Sequence, residues 1–258
     1  MKHIQSRDNP FFKELAKLAG SARQRGKVDQ TLLDGTHLLT AYLGSGKQPQ
    51  HILLNATALH DEEIAALLEC AAGVPITQLD DKLFAEFSEL KTPTGILALI
   101  DIQQPAGTIA DSRFALLLED IQDPGNLGSM LRSAAAAGCD AVFLSTGCAD
   151  AWSPRVLRAA MGGHFVLGIH ERQELSDVAR AFPGTLLAAS LQASRSLYDC
   201  DLRGKVALLI GNEGAGLSDG LLNLATQAIA IPMPGKIESL NAAAAAAICL
   251  FEAVRQRR

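Results

Sequence analysis

Phe114-Ala115-Leu116-Leu117-Leu118 runs through a polar turn into Asp123-Pro124-Gly125-Asn126-Leu127-Gly128-Ser129-Met130-Leu131-Arg132. An unbroken apolar run of this length suits a strand covered on both faces, and the apolar residues from Leu127 to Ala137 recur at helical spacing. Two later stretches repeat the idea. Val206 to Ile210 leads into Gly211-Asn212-Glu213-Gly214-Ala215-Gly216, and Ala228 to Ile231 leads into Pro232-Met233-Pro234-Gly235 and then Glu238-Ser239-Leu240-Asn241. Polar turns that follow buried strands gather at the carboxyl ends of neighbouring strands, where open α/β sheets bind ligands.

Working outward, the second half alternates. Strands are expected at Phe114–Leu118, Ala141–Leu144, Val166–Ile169, Thr185–Ala189, Val206–Ile210 and Ala228–Ile231. Helices are expected at Leu127–Ala137, Pro154–Met161, Leu175–Ala181, Asp219–Leu224 and from about Ser239 to Arg255. Such alternation predicts a mostly parallel sheet covered on both faces. The first half reads as a smaller α/β unit, with helices at Pro10–Arg23, Leu38–Leu43 and Glu62–Ala71 and strands at Thr31–Asp34, His51–Asn55, Val74–Ile76 and Ile96–Ile100. Gln103-Gln104-Pro105-Ala106-Gly107 has the composition of a linker. Domains are therefore expected over 1–104 and 105–258.

Composition bounds the function. Of 258 residues, 48% are hydrophobic, enough for a substantial core. The five cysteines (Cys70, Cys139, Cys148, Cys200, Cys249) include no C-x-x-C pair, so they read as reduced thiols rather than a disulfide framework or zinc site. The six histidines show no metal-ligand spacing, and no metal is expected. No apolar run is long enough to span a bilayer, and the amino terminus lacks a signal-peptide stretch; a soluble, cytoplasmic protein is expected. The 23 basic and 28 acidic side chains leave a formal charge of −5. Residues 1–28 run the other way, with Lys2, Arg7, Lys13, Lys17, Arg23, Arg25 and Lys27 against Asp8 and Glu14. Phosphate binding needs such a local patch, not a basic whole. Arg255, Arg257 and Arg258 form a second basic cluster.

Each polar motif residue carries two readings. Asn126 stands where a helix N-cap belongs. Arg132 reads as an exposed helix arginine or as a group leaning back toward the helix mouth. Glu213 is a turn residue or a site carboxylate. Ser239 and Asn241 are caps or site residues. The spacing Gly-x-x-Gly-x-Gly at 211–216 departs from the dinucleotide fingerprint, and there is no phosphate-binding P-loop. Pro232 and Pro234 exclude a paired central strand through that stretch. Ala242 to Ala247 are six consecutive alanines, which favour helix and close backbone approach.

Taken together, the three motifs resemble those of the SpoU (TrmH-like) branch of the SPOUT RNA methyltransferases. Leu33-Asp34-Gly35-Thr36-His37-Leu38-Leu39 is similar to the opening domain of members that carry an L30e-like RNA-binding domain. The resemblance implies an L30e-like α/β domain followed by a SPOUT domain with a deep trefoil knot around Gly211, Ile231 and the last helix. It implies S-adenosyl-L-methionine held by Gly211, Ile231, Met233 and Leu240, and an active site of Asn126, Arg132, Glu213, Ser239 and Asn241 shared across a homodimer. The serine often found after Asn241 in the family is absent. The implied reaction is methylation of a ribose 2′-hydroxyl in structured RNA, with 23S ribosomal RNA ahead of transfer RNA. A non-catalytic ribosome-assembly factor and a nucleotide-dependent oxidoreductase remain as other classes.

Overall fold

The computed structural model describes residues 1–88, 90 and 92–258. They group into two units, Met1–Gln103 with Trp152–Phe165, and Gln104–Ala151 with Val166–Arg258.

The first unit contains β1 (Lys2–Ile4), α1 (Pro10–Gly20), α2 (Ala22–Val28), β2 (Gln30–Asp34), α3 (Thr36–Gly44), β3 (His51–Leu54), α4 (Glu62–Cys70), β4 (Ile76–Leu79), α5 (Asp81–Phe84) and β5 (Ile96–Asp101). Its sheet runs β1-β4-β3-β5-β2. β1, β4 and β3 are parallel, and β5 is antiparallel to both β3 and β2. Phe12, Leu15 and Leu18 of α1 pack with Leu83 and Phe84 of α5 onto Leu32, Leu53, Leu79 and Leu97 of the sheet. The expected helix Pro10–Arg23 is two helices. Ser21 is extended, and its hydroxyl accepts from the Gln24 amide, which starts α2. The expected strand Val74–Ile76 lies later, at Ile76–Leu79. β1 and α5 escape a periodicity search because three or four residues cannot display a period.

The second unit contains β6 (Phe114–Leu118), α6 (Pro124–Ala137) and β7 (Ala141–Ser145). The chain then passes through α7 (Pro154–Ala160), which groups with the first unit, where Thr31 Oγ1 donates to the Trp152 carbonyl at 2.7 Å. It returns for β8 (Gly168–Gln173), α8 (Leu175–Ala181), β9 (Thr185–Ala189), β10 (Val206–Ile210), α9 (Asp219–Leu224), β11 (Gln227–Ile229) and α10 (Ala242–Arg257). The order β11-β9-β10-β6-β7-β8 is parallel throughout. The expected mostly parallel α/β sheet is present, as is a small α/β unit before it. On one face, Ala115 and Leu117 of β6 and Ala207 and Leu209 of β10 meet α8 and α9. The alternate residues point to the opposite face, where α10 packs against α6 and β10.

Several boundaries shift. The strand expected at Val166–Ile169 is Gly168–Gln173, and the one expected at Ala228–Ile231 is Gln227–Ile229. The last helix starts at Ala242, not Ser239. α6 starts at Pro124, three residues before Leu127, because proline is pre-set for a first helical turn and Asp123 caps it.

The strand order places a site. From β6 the chain steps through β7 to β8 in one direction, whereas β9 and β10 lie on the other side of β6. A crevice opens at the carboxyl ends where connections diverge in this way. Ile210 and Leu118 are register partners, so the loops after β10 and β6 leave the sheet side by side.

Candidate active site

Asp123, not Asn126, caps α6: its Oδ1 accepts from the Asn126 amide at 2.8 Å. That substitution of roles frees the Asn126 side chain. Asn126 Nδ2 donates to Glu213 Oε1 at 2.8 Å, and Asn126 Oδ1 accepts from Asn241 Nδ2 at 2.9 Å. Asn241 Oδ1 accepts from the amides of Ala243 and Ala244, capping α10. The polarity of this relay is set from the helix end. A helix N-terminus only donates, so Asn241 Oδ1 must face it, which turns Asn241 Nδ2 to Asn126 Oδ1 and leaves Asn126 Nδ2 for Glu213. Asn241 is therefore cap and site residue at once, through different atoms.

The loop carrying Glu213 is closed on itself. The amide of Asn212 donates to the Gly216 carbonyl at 3.1 Å, and the Gly216 amide donates to the Asn212 carbonyl at 2.9 Å. A Cβ on Gly211 would run into the Gly216 carbonyl and the Leu217 amide. Glycine at 211 thus answers to the loop's own backbone. Gly216 sits at φ +73°, in the left-handed region.

Beside this loop lies a cleft of about 420 Å³. Six of the residues singled out in the sequence line it: Gly211, Glu213, Ile231, Met233, Ser239 and Leu240. Ile210, Leu217, Leu222 and Ile229 add apolar wall, and Ala242 and Ala245 show how the alanine run lets α10 come close. The segment Ala189–Gln192, which leaves β9, also lines the cleft. Sequence reasoning missed it because it carries no motif; its place at a strand's carboxyl end was the available signal. Asn126 and Asn241 join the cleft through Glu213.

Arg132 stands six residues beyond Asn126 on α6, exposed, and makes no hydrogen bond or ion pair with any described residue. The structure does not tie it to the relay.

The basic amino-terminal segment divides. Arg7 pairs with Glu86 at 2.6 Å and Lys13 with Asp8 at 3.0 Å. Arg25 is buried at 4% exposure, and its guanidinium donates to the carbonyls of Leu18 and Ala19 at the end of α1. Lys2, Lys17, Arg23 and Lys27 are exposed without an ion pair among the described residues. The carboxyl-terminal cluster is largely structural. Arg255 pairs with Glu252 at 2.7 Å, and Arg257 lies 4.0 Å over the Phe114 ring while donating to the carbonyls of Leu202 and Gly204. Burial pulls the Arg257 pKa down. All five cysteines are free, and burial pushes the Cys249 thiol up to about 12.

Among the described residues no cluster of His, Cys, Asp and Glu could hold a metal ion, and no helix is long and apolar enough to cross a membrane.

Comparison with known proteins places these features. Residues 113–251 match the SpoU rRNA Methylase family, and residues 9–98 match the MRM3-like substrate binding domain. A Bacillus subtilis protein, 23S rRNA (guanosine(2553)-2′-O)-methyltransferase RlmP, is 34% identical over 97% of this chain and 98% of its own length. The crystal structure of the SpoU methyltransferase AviRb from Streptomyces viridochromogenes superposes with a TM-score of 0.85 at 26% identity, covering 96% of this chain and 98% of that one. An AdoMet-bound rRNA methyltransferase from Sinorhizobium meliloti superposes with a TM-score of 0.84 at 27% identity, covering 98% and 97%.

Proposed function

The chain belongs to the SpoU rRNA methylase family, and on that premise we propose that it transfers a methyl group from S-adenosylmethionine to a ribose 2′-hydroxyl of 23S ribosomal RNA. The observation that carries this reading is the Glu213–Asn126–Asn241 relay, whose carboxylate also lines the cleft.

The cleft suits the cofactor on its own chemistry. About 420 Å³ is in the range of small-molecule sites, the apolar wall fits an aromatic ring face, and Glu213 and Ser239 offer polar contacts. Gly211, Ile231, Met233 and Leu240 would hold it. Bound there, S-adenosylmethionine supplies an electrophilic methyl group. The chain's own task is then to align the 2′-oxygen and assist loss of its proton to water. Glu213, fixed by Asn126, orients the ribose, and Ser239 and Asn241 border it. Arg132 meets the phosphate beside the target ribose and polarises the hydroxyl.

The same reading includes domains over 1–104 and 105–258, the first L30e-like and RNA-binding, and a deep trefoil knot around Gly211, Ile231 and α10. It also includes a cytoplasmic homodimer in which a partner completes the site. The unpaired Lys2, Lys17, Arg23 and Lys27 support RNA binding by the first domain.

The test is methyl transfer from labelled S-adenosylmethionine into separated, unmodified ribosomal and transfer RNA, followed by nucleoside mass analysis. A 2′-O-methylated nucleoside from 23S RNA is expected. Label in transfer RNA alone, or in neither pool despite cofactor binding, overturns the substrate assignment or the catalytic one respectively.

A further inference from the structure

Residues 119 and 120 grip both ends of the loop that carries Glu213. At its start, Asn212 Nδ2 donates to the Asp120 carbonyl at 2.9 Å, across 92 positions of sequence. At its end, the Ser218 amide donates to Glu119 Oε2 at 2.7 Å. Asn212 Oδ1 meanwhile accepts from the amides of Gly214 and Ala215 at 2.9 and 3.0 Å, folding the turn in which Glu213 sits.

The anchor itself is held. Asp120 adopts φ +53°, uncommon for a residue with a side chain. Its amide donates to Ser145 Oγ at 2.9 Å and its Oδ1 accepts from the same hydroxyl at 2.6 Å. Three residues further on, Asp123 caps the helix that presents Asn126. One asparagine side chain thus ties the Glu213 turn to the segment that leads into α6, whose first turn carries Asn126.

We propose that Asn212 is a positioning residue: it ties the Glu213 turn to the Asp120 carbonyl so that Glu213 and Asn126 are registered before any substrate arrives. The proposal rests on the methyl-transfer reading for its kinetic test and stands apart from it for its spectroscopic one. Its two functions separate by atom. Oδ1 folds the turn and Nδ2 ties the turn down, so Asn212→Asp keeps the first and cuts the second.

The kinetic expectation for Asn212→Asp is a fall in kcat of roughly 10- to 100-fold, the scale of a misplacement near 1 Å. KM for S-adenosylmethionine and for RNA should stay within about threefold. Adding Asn212→Asp to Glu213→Ala should cost little beyond Glu213→Ala alone, because a residue that acts through Glu213 has nothing left to position. Full additivity, an unchanged kcat, or an equal loss of cofactor affinity overturns the proposal.

The spectroscopic arm needs no turnover. With asparagine selectively labelled with nitrogen-15, the Asn126 side-chain amide resonance should move in Asn212→Asp in the direction it moves in Glu213→Ala. An Asn126 resonance indifferent to Asn212→Asp overturns the proposal even in a chain that transfers no methyl group. Absence of transfer by the unaltered chain is instead a failure of the functional reading.

Discussion

Asn241 and Asn126 stand 115 residues apart and are joined by a 2.9 Å hydrogen bond from Asn241 Nδ2 to Asn126 Oδ1. Because the Asn241 oxygen is spent on the first amides of α10, helix capping and site assembly are served by opposite ends of one amide group.

That division is separable by mutation. Asn241→Asp keeps an acceptor for the helix and loses the donor to Asn126, so Tm should hold while methyl transfer falls. Asn241→Ala loses both, and should also cost about 1 kcal/mol of stability, the usual worth of an N-cap. Thermal unfolding and initial rates measured on both variants check this; equal Tm losses would contradict it.

Arg132 has no hydrogen-bond or ion-pair partner among the described residues to lose. Arg132→Ala should leave Tm and S-adenosylmethionine affinity nearly unchanged while lowering kcat by roughly 100-fold or more, as removal of a charge aimed at a transition state does. Calorimetric cofactor titration beside single-turnover rates tests it. A matching loss of cofactor affinity would remove Arg132 from the chemistry.

Gly211 and Gly216 should respond differently to a side chain. A Cβ at Gly211 meets the backbone of Gly216 and Leu217, so Gly211→Val should open the loop and abolish cofactor binding. At Gly216 the space is open but φ is +73°, so Gly216→Ala should cost only about 1–2 kcal/mol of strain. Cofactor affinity and Tm together separate the cases.

The basic segment should split in the same way. Exchanging Lys17, Arg23 and Lys27 for glutamate should raise KM for RNA and flatten the salt dependence of binding by about two to three logarithmic units of slope. Cofactor affinity should not move. Arg25→Ala should destabilise the fold instead, since its buried guanidinium serves the α1 carbonyls. RNA titrations at several salt concentrations, with Tm alongside, read both.

Glu252 sets an acid limit. Hydrogen bonds from Arg255 hold its carboxyl down to about 2 from an ordinary 4.5. A folded-state pKa below the unfolded one stabilises above the unfolded value, and that contribution is lost as pH falls. Stability from this pair should therefore be fully present above pH 4.5 and drain away toward pH 2. In Glu252→Gln, the fall of Tm across that window should be shallower.

Much of this architecture was legible. Phe114–Leu118 and Val206–Ile210 announce themselves because a strand buried on both faces is apolar at every position, and Pro124 with Asn126 marks a helix mouth. What stayed open was who does what there. Asp123 and Asn126 both suit capping by residue type, and only the fold shows that Asp123 takes the amide, leaving Asn126 for Glu213. Arg25 counted as a surface cation until the break at Ser21 turned it under α1.

By itself, the sequence determined the succession of elements, the parallel sheet, and the residue types gathered at strand ends, because hydrophobic periodicity and turn chemistry are local. Tertiary structure decided which side chains meet. The order β11-β9-β10-β6-β7-β8 sets β10 beside β6, and that adjacency brings Glu213 to Asn126 and lets Asn212 span to Asp120, while the packing of α10 on α6 brings Asn241 to Asn126. The grouping of Trp152–Phe165 with the first unit is likewise invisible in linear order. Contacts between residues about a hundred positions apart depend on how strands are ordered in a sheet, and no window of sequence short enough to show a period contains both partners.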